Sequence, residues 1–253
     1  MVPPAGISQP SQWISPLSGV SAPDTPQKNN NQSKKTQRQK MSTRMQKLIL
    51  SALIAGCASM AANASGGTGS DHGYFWSLYY SGGSASISFP SAGTYAGNFA
   101  ISWSGCSDMV GGKGWSTGSA RSIGYNCGSL SGTHNFFGIY GWTTSPLIEY
   151  YVCEIGSVVN GTYVGSVSSD GHSYSVYKHQ QVNQPSIQGT ATFWQYLDTW
   201  GGSGTGANHT VTMGNHVSYW QAHGGQGFGS YNYQILACED WSGGSGYVNA
   251  TVW

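Results

Sequence analysis

Two glutamates stand within strand-like patterns of a chain otherwise poor in charge: Glu149 in PLIEYYV at 146–152 and Glu239 in YNYQILACE at 231–239. Paired carboxyls among aromatic residues suit glycosidic bond cleavage. A retaining enzyme needs one as nucleophile and one as proton donor, about 5 to 5.5 Å apart. Ninety positions separate the two glutamates, so only tertiary folding can bring them together. Strand side chains alternate faces, which predicts that Tyr151 shares the Glu149 face and that Tyr231 and Tyr233 share the Glu239 face. Like-charge repulsion and aromatic desolvation would raise the pKa of one acid, but spacing alone leaves the two roles interchangeable.

The elements that must position these acids are short. Segments rich in β-branched and aromatic residues recur at 84–89, 94–103, 119–126, 134–142, 147–154, 162–168, 173–182, 190–197, 208–213, 230–239 and 247–253, between clusters of Gly, Ser and Asn. That number and spacing predict an all-β antiparallel sandwich or jelly roll. One helix is expected at 215–223, where Val217 and Trp220 share a side and Gly224-Gly225 ends the run. Neither an internal repeat nor a phosphate-binding glycine loop is visible.

Residues 1–40 are rich in Pro, Ser, Gln, Asn and Lys without apolar periodicity, and are read as a disordered extension or a mis-start upstream of the true beginning. Residues 41–64 have the layout of a secretory signal: Arg44 and Lys47, an apolar run at 48–55, and Ala62-Asn63-Ala64. Ile54-Ala55-Gly56-Cys57 also fits a lipoprotein signal, with Cys57 as a lipid anchor, so secretion and surface anchoring both remain open. Residues 65–72 read as a flexible lead-in and 73–253 as one catalytic domain. From Ser65 onward three basic residues face eight acidic ones, a formal balance of −5, although the whole chain carries +1. With no basic patch to neutralise phosphates, nucleic acid is an unsuitable partner and a neutral polymer a suitable one.

Cys106, Cys127, Cys153 and Cys238 follow the leader. Cys106 and Cys127 flank a turn-rich segment around 112–118, which favours a bridge between them over four free thiols. Such a bridge is worth about 3 kcal/mol. No C-x-x-C or H-E-x-x-H spacing occurs, so neither a metal nor another cofactor is expected.

The residues around both acids resemble glycoside hydrolase family 11, the small jelly-roll endo-β-1,4-xylanases. Tyr140-Gly-Trp-Thr-Thr-Ser-Pro-Leu-Ile-Glu-Tyr-Tyr151 is similar to that family's nucleophile strand, and Tyr233-Gln-Ile-Leu-Ala-Cys-Glu239 to its acid/base strand. Asn183-Gln-Pro-Ser-Ile187 is similar to its thumb hairpin, and Gly112-Lys-Gly-Trp115 and Asn215-His216 extend the likeness across 73–253. The resemblance implies two packed, strongly twisted antiparallel sheets forming a cleft, with one short α-helix. It also implies Glu149 as nucleophile, Glu239 as acid/base, and Asp108 as modulator of the Glu239 pKa, with an acid-shifted pH profile. Tyr79, Tyr140, Trp142, Tyr151, Gln195 and Tyr233 are implied to bind substrate, with the thumb tip Pro185, Ser186 and Ile187. His216 matches a structural histidine.

The chain departs from the family at Tyr79, where a tryptophan usually stacks on sugar, and at Gln181, Thr144 and Cys238, which replace arginine, arginine or a similar polar residue, and threonine. The expected protein is a secreted monomeric endo-xylanase that acts on xylan with retention. Its rivals are a jelly-roll endoglucanase and a non-catalytic carbohydrate-binding sandwich.

Overall fold

A computed structural model describes residues 64–89 and 95–253. The expectations for residues 1–63, namely the extension, the signal and the Cys57 anchor, lie outside the described residues. Nine strands form one sheet in the order β1 (Ala64–Asp71), β2 (Tyr74–Ser81), β5 (Asp108–Trp115), β13 (Ser230–Asp240), β7 (Phe136–Thr144), β8 (Ile148–Gly156), β11 (Gly189–Thr199), β10 (His172–Ser186) and β9 (Thr162–Ser169). A second sheet runs β12 (Asn208–Thr212), β6 (Ser122–Gly132), β14 (Ser245–Val252), β4 (Asn98–Ser104) and β3 (Ser84–Ser88). The pairs are antiparallel except β8 with β11, which is parallel. These are the two packed sheets of a jelly roll.

Period-two alternation gives the nine-stranded sheet two apolar faces. Ile148, Tyr150 and Val152 of β8, with Phe137 and Ile139 of β7, pack with Ile101, Trp103, Ile123 and Val248 of the smaller sheet. The intervening Tyr140, Trp142, Tyr151 and Cys153 form a second cluster with Phe193, Leu197 and Ile235 on the other face. β1 at one end of the sheet and β10 near the other line the same cleft, so the sheet curls around that second face.

The single helix among the described residues, α1 (Met213–His223), starts two residues earlier than expected and buries Met213, His216, Val217 and Trp220. Asp198 of β11 anchors it, accepting from Trp220 Nε1 at 2.8 Å and pairing with His216 Nδ1 at 2.6 Å. His216 is thus a buried structural group.

Three expectations are corrected. Residues 64–71 are not a loose lead-in but an edge strand paired with β2 along its whole length. The four cysteines after the leader are free and buried. Cys106 and Cys127 do not face each other because 108–115 forms strand β5 of the large sheet, whereas β6, which carries Cys127, belongs to the small one; the Cys106 thiol donates instead to the Ser84 carbonyl at 3.2 Å. Finally, a register shift between Tyr231 and Gln234 breaks the alternation in β13. Tyr231 therefore packs toward the inter-sheet core, away from Glu239.

Candidate active site

Cross-strand register assembles the site. Trp142 of β7 and Gln195 of β11 flank Glu149 of β8 as direct partners, so three side chains project in one row. Tyr140 pairs with Tyr151 across β7 and β8, while Glu239 sits between Val110 of β5 and Phe136 of β7. Of these, Trp142, Glu149, Gln195, Tyr140, Tyr151, Val110 and Glu239 line one cleft of about 520 Å³, with Phe136 buried behind it.

Glu149 is tightly held. Tyr140 Oη donates to its Oε1 at 2.6 Å and Gln195 Nε2 to its Oε2 at 2.7 Å. Trp142 Nε1 donates to Tyr140 Oη at 2.8 Å, fixing that phenol's proton toward the carboxylate. Glu239 has little such support: Tyr151 Oη lies 3.5 Å from its Oε1, and its buried Oε2 has no hydrogen-bond partner among the described residues. Asp108 Oδ1 is likewise buried without a partner.

These differences separate the acids electrostatically. Burial pushes Glu149 up to about 7, while the bonds from Tyr140, Gln195 and Tyr151 pull the other way. Burial also lifts Glu239, and the charges of Asp108 and Glu149 drive it well above the usual carboxylate range. Asp108 is pushed up to about 6, mainly by burial and partly by the Asp240 charge, against a bond from the Met109 N–H. One carboxyl is built to accept hydrogen bonds as an anion and the other to keep a proton, the asymmetry that paired acid chemistry needs.

The cleft gathers every cleft residue expected from sequence: Tyr79, Asp108, Tyr140, Trp142, Glu149, Tyr151, Pro185, Ser186, Ile187, Gln195, Tyr233 and Glu239. Pro185 and Ser186 end β10, and Ile187 follows at the tip of its hairpin with β11. There Ser186 Oγ accepts from the Gln188 N–H at 3.0 Å and donates to the Gly189 carbonyl at 2.6 Å. Gln181, seen in the sequence only as a departure, also lines the wall. Ser65–Thr68, Ser77, Leu78, Val110 and Phe193 were not anticipated, and Gln184, quoted only within the thumb segment, also lines the cleft. Phe193 was within reach of period-two reasoning, since it lies two residues before Gln195 and packs edge-on to Trp142 at 4.8 Å between ring centres. Among the described residues, no three His, Cys, Asp or Glu side chains cluster as metal ligands.

A family model described as glycosyl hydrolases family 11 matches residues 71–251. An ethylene-inducing xylanase of Penicillium digitatum is 42% identical over 80% of this chain and 97% of its own length. An endo-1,4-β-xylanase 2 of Rhizopus oryzae is 41% identical with the same coverage. Among solved structures, an endo-1,4-β-xylanase of Trichoderma reesei superposes with a TM-score of 0.61 at 36% identity, covering 75% of this chain and 99% of that one.

Proposed function

This chain belongs to glycosyl hydrolases family 11 and is an endo-1,4-β-xylanase, and from that premise we propose that it hydrolyses internal bonds of xylan with retention through Glu149 and Glu239. The observation that carries the reading is the unequal support of the two carboxyls. Glu149, with two short donors, is the nucleophile; Glu239, buried and almost without donors, is the general acid.

Glu239 protonates the glycosidic oxygen while a Glu149 oxygen attacks the anomeric carbon, which releases the leaving sugar and leaves a glycosyl ester on Glu149. Esterification removes the Glu149 charge, and with it one of the causes that hold Glu239 protonated. Glu239 can then take a proton from water, whose oxygen displaces Glu149 and restores both acids. Asp108 shares the proton economy of Glu239, so loss of the Asp108 proton forms the alkaline limb of activity.

Substrate selection follows from the walls. Tyr79, Tyr140, Tyr151, Trp142 and Tyr233 supply flat surfaces for sugar rings. The hairpin tip Pro185–Ile187 and the β1 residues Ser65–Thr68 are further walls of the same cleft. Xylose lacks the hydroxymethyl group of glucose, so a narrow cleft admits xylan and excludes cellulose by sterics. A polymeric substrate is met outside the cell, so the reading includes export by the 41–64 leader and action as a monomer. Among the described residues, no helix is long and apolar enough to cross a membrane.

The test is the anomeric form of the first product, followed by proton NMR during hydrolysis of purified arabinoxylan. Initial release of the β-anomer is expected, with no comparable activity on carboxymethylcellulose. Initial α-anomer would overturn the double displacement, and preferential cleavage of carboxymethylcellulose would overturn the substrate.

A further inference from the structure

Asp240 immediately follows Glu239 on β13, but its side chain takes the opposite face and leaves the cleft. It is buried. Four donors from three separate segments converge on it: Trp103 Nε1 of β4 at 2.9 Å, Thr133 Oγ1 at 2.6 Å, the Ser242 N–H at 2.9 Å, and Ser242 Oγ. Among the described residues no Lys, Arg or His pairs with it. Burial alone would raise this carboxyl, but the bonds from Ser242, Thr133 and Trp103 outweigh it and hold Asp240 below the usual range. The result is a fixed anion in a polar socket, with no countercharge.

Its neighbours give that charge a target. Met109 of β5 is the cross-strand partner of Asp240, and Val110 is the partner of Glu239, which puts Asp108 diagonally beside Glu239 on the cleft face and one residue along β5 from the partner of Asp240, whose carboxyl lies behind the sheet. Asp108 shares the cleft with the ionisable groups Glu239 of β13, Tyr79 of β2, and Glu149 and Tyr151 of β8, while Asp240 and Cys106 lie near it outside the cleft. Those facing Asp240 include Cys106 and Cys238 besides Asp108. Among the described residues none of these neighbours is a cation, so none of them cancels the Asp240 field.

We propose that Asp240 is a positioning residue that acts through Asp108: its permanent charge, held behind the sheet, keeps a proton on Asp108 beside Glu239 and so extends activity toward higher pH. The proposal rests on reading Glu239 as the acid/base with Asp108 as its partner. Asp240 itself touches neither the cleft nor the reacting atoms. Asp108 feels Asp240, whereas the charges acting on Glu239 are those of Asp108 and Glu149, so the influence passes along a chain of carboxyls.

The experiment is a set of kcat/KM profiles against pH for the wild type, Asp240→Asn, Asp108→Asn and the double variant, with melting temperatures in parallel. Removing a nearby anion lowers the Asp108 pKa, so Asp240→Asn should move the alkaline limb down by about 0.5 to 1 pH unit. In the Asp108→Asn background the same change should move it by less than about 0.2 units, the non-additivity expected of coupled sites. A lower melting temperature with an unmoved limb in Asp240→Asn would leave Asp240 a purely structural tie and overturn the proposal. Equal shifts in both backgrounds would overturn the route through Asp108. Full activity in Glu239→Gln would instead overturn the underlying catalytic reading. If the Asp240 variants do not fold, carboxyl carbon NMR of Glu149→Gln with Asp240 intact decides: Asp240 must stay ionised while Asp108 titrates, and a protonated Asp240 in that range overturns the idea.

Discussion

Tyr140 shows how much of the acid asymmetry depends on single donors. Its hydroxyl bonds the charged form of Glu149 at 2.6 Å and in turn receives the Trp142 indole N–H. Tyr140→Phe removes a donor that favours the anion, so the Glu149 pKa rises and the acid limb of the kcat/KM profile should move up by about one pH unit. Activity at low pH should fall about tenfold or more, and the melting temperature should drop by a few degrees because the buried Trp142 N–H loses its acceptor. Asp108→Asn moves the other limb. An amide cannot lose the proton that Asp108 loses near 6, so the alkaline limb passes to Glu239, which burial and charge hold higher. That limb should rise by about one unit or more; an unmoved profile would remove Asp108 from the proton economy. Both glutamates and Tyr151 were legible because undistorted strands alternate faces. Tyr231 was not, since the irregularity next to it leaves no mark in a run of four polar and aromatic residues.

The strands missed from sequence owe their state to neighbours rather than to propensity. β1, ASGGTGSD, carries almost nothing that favours extended structure, yet it pairs residue for residue with β2 and contributes Ser65–Thr68 to the cleft. In β5 the glycines that suggest a turn are required by close packing: a Cβ at Gly112 would lie 1.9 Å from the Leu236 carbonyl oxygen. Mistaking that segment for a turn also suggested the Cys106–Cys127 bridge, so one local error produced a second. The β7, β8 and β13 strands were readable as elements because aromatic and aliphatic residues are dense in them, although the register shift in β13 still hid where Tyr231 goes, and helix α1 was readable from Val217 and Trp220 on one side and the Gly224-Gly225 stop. Gly66 tests the role of the edge. Its φ of +127° and a Cβ that would sit 2.0 Å from the Leu78 carbonyl oxygen leave no room for a side chain. Gly66→Ala should destabilise the fold by about 1–3 kcal/mol. It should also raise KM on long xylan more than on a short aryl xyloside, because the displaced strand lies on the cleft wall. Equal KM changes on both substrates would mean that β1 supports the fold without meeting the polymer.

At the scale of the molecule, a few buried polar groups tie the two sheets together across an otherwise apolar interface. Glu154 of β8 is the clearest: Tyr125 of β6 and Tyr174 of β10 each donate to it at 2.7 Å, so one carboxyl joins strands from both sheets. Tyr125 Oη also contacts Ser203 Oγ at 3.0 Å, extending the network to the segment after β11. Burial raises the Glu154 pKa, opposed by the two tyrosine bonds and by the charges of His216 and His172. A carboxyl whose folded pKa is raised binds its proton more tightly in the native than in the unfolded state. Its stabilising effect is therefore complete below the unfolded value of about 4.3 and is lost as pH rises through the folded value. Glu154→Gln keeps an acceptor for one tyrosine and removes the titration. The gap in melting temperature between wild type and Glu154→Gln should accordingly be largest at low pH and shrink, or reverse sign, toward pH 8. Differential scanning calorimetry from pH 4 to 8 measures this directly, and a gap that widens with pH would mean that Glu154 is more stable ionised inside the fold than in the unfolded chain.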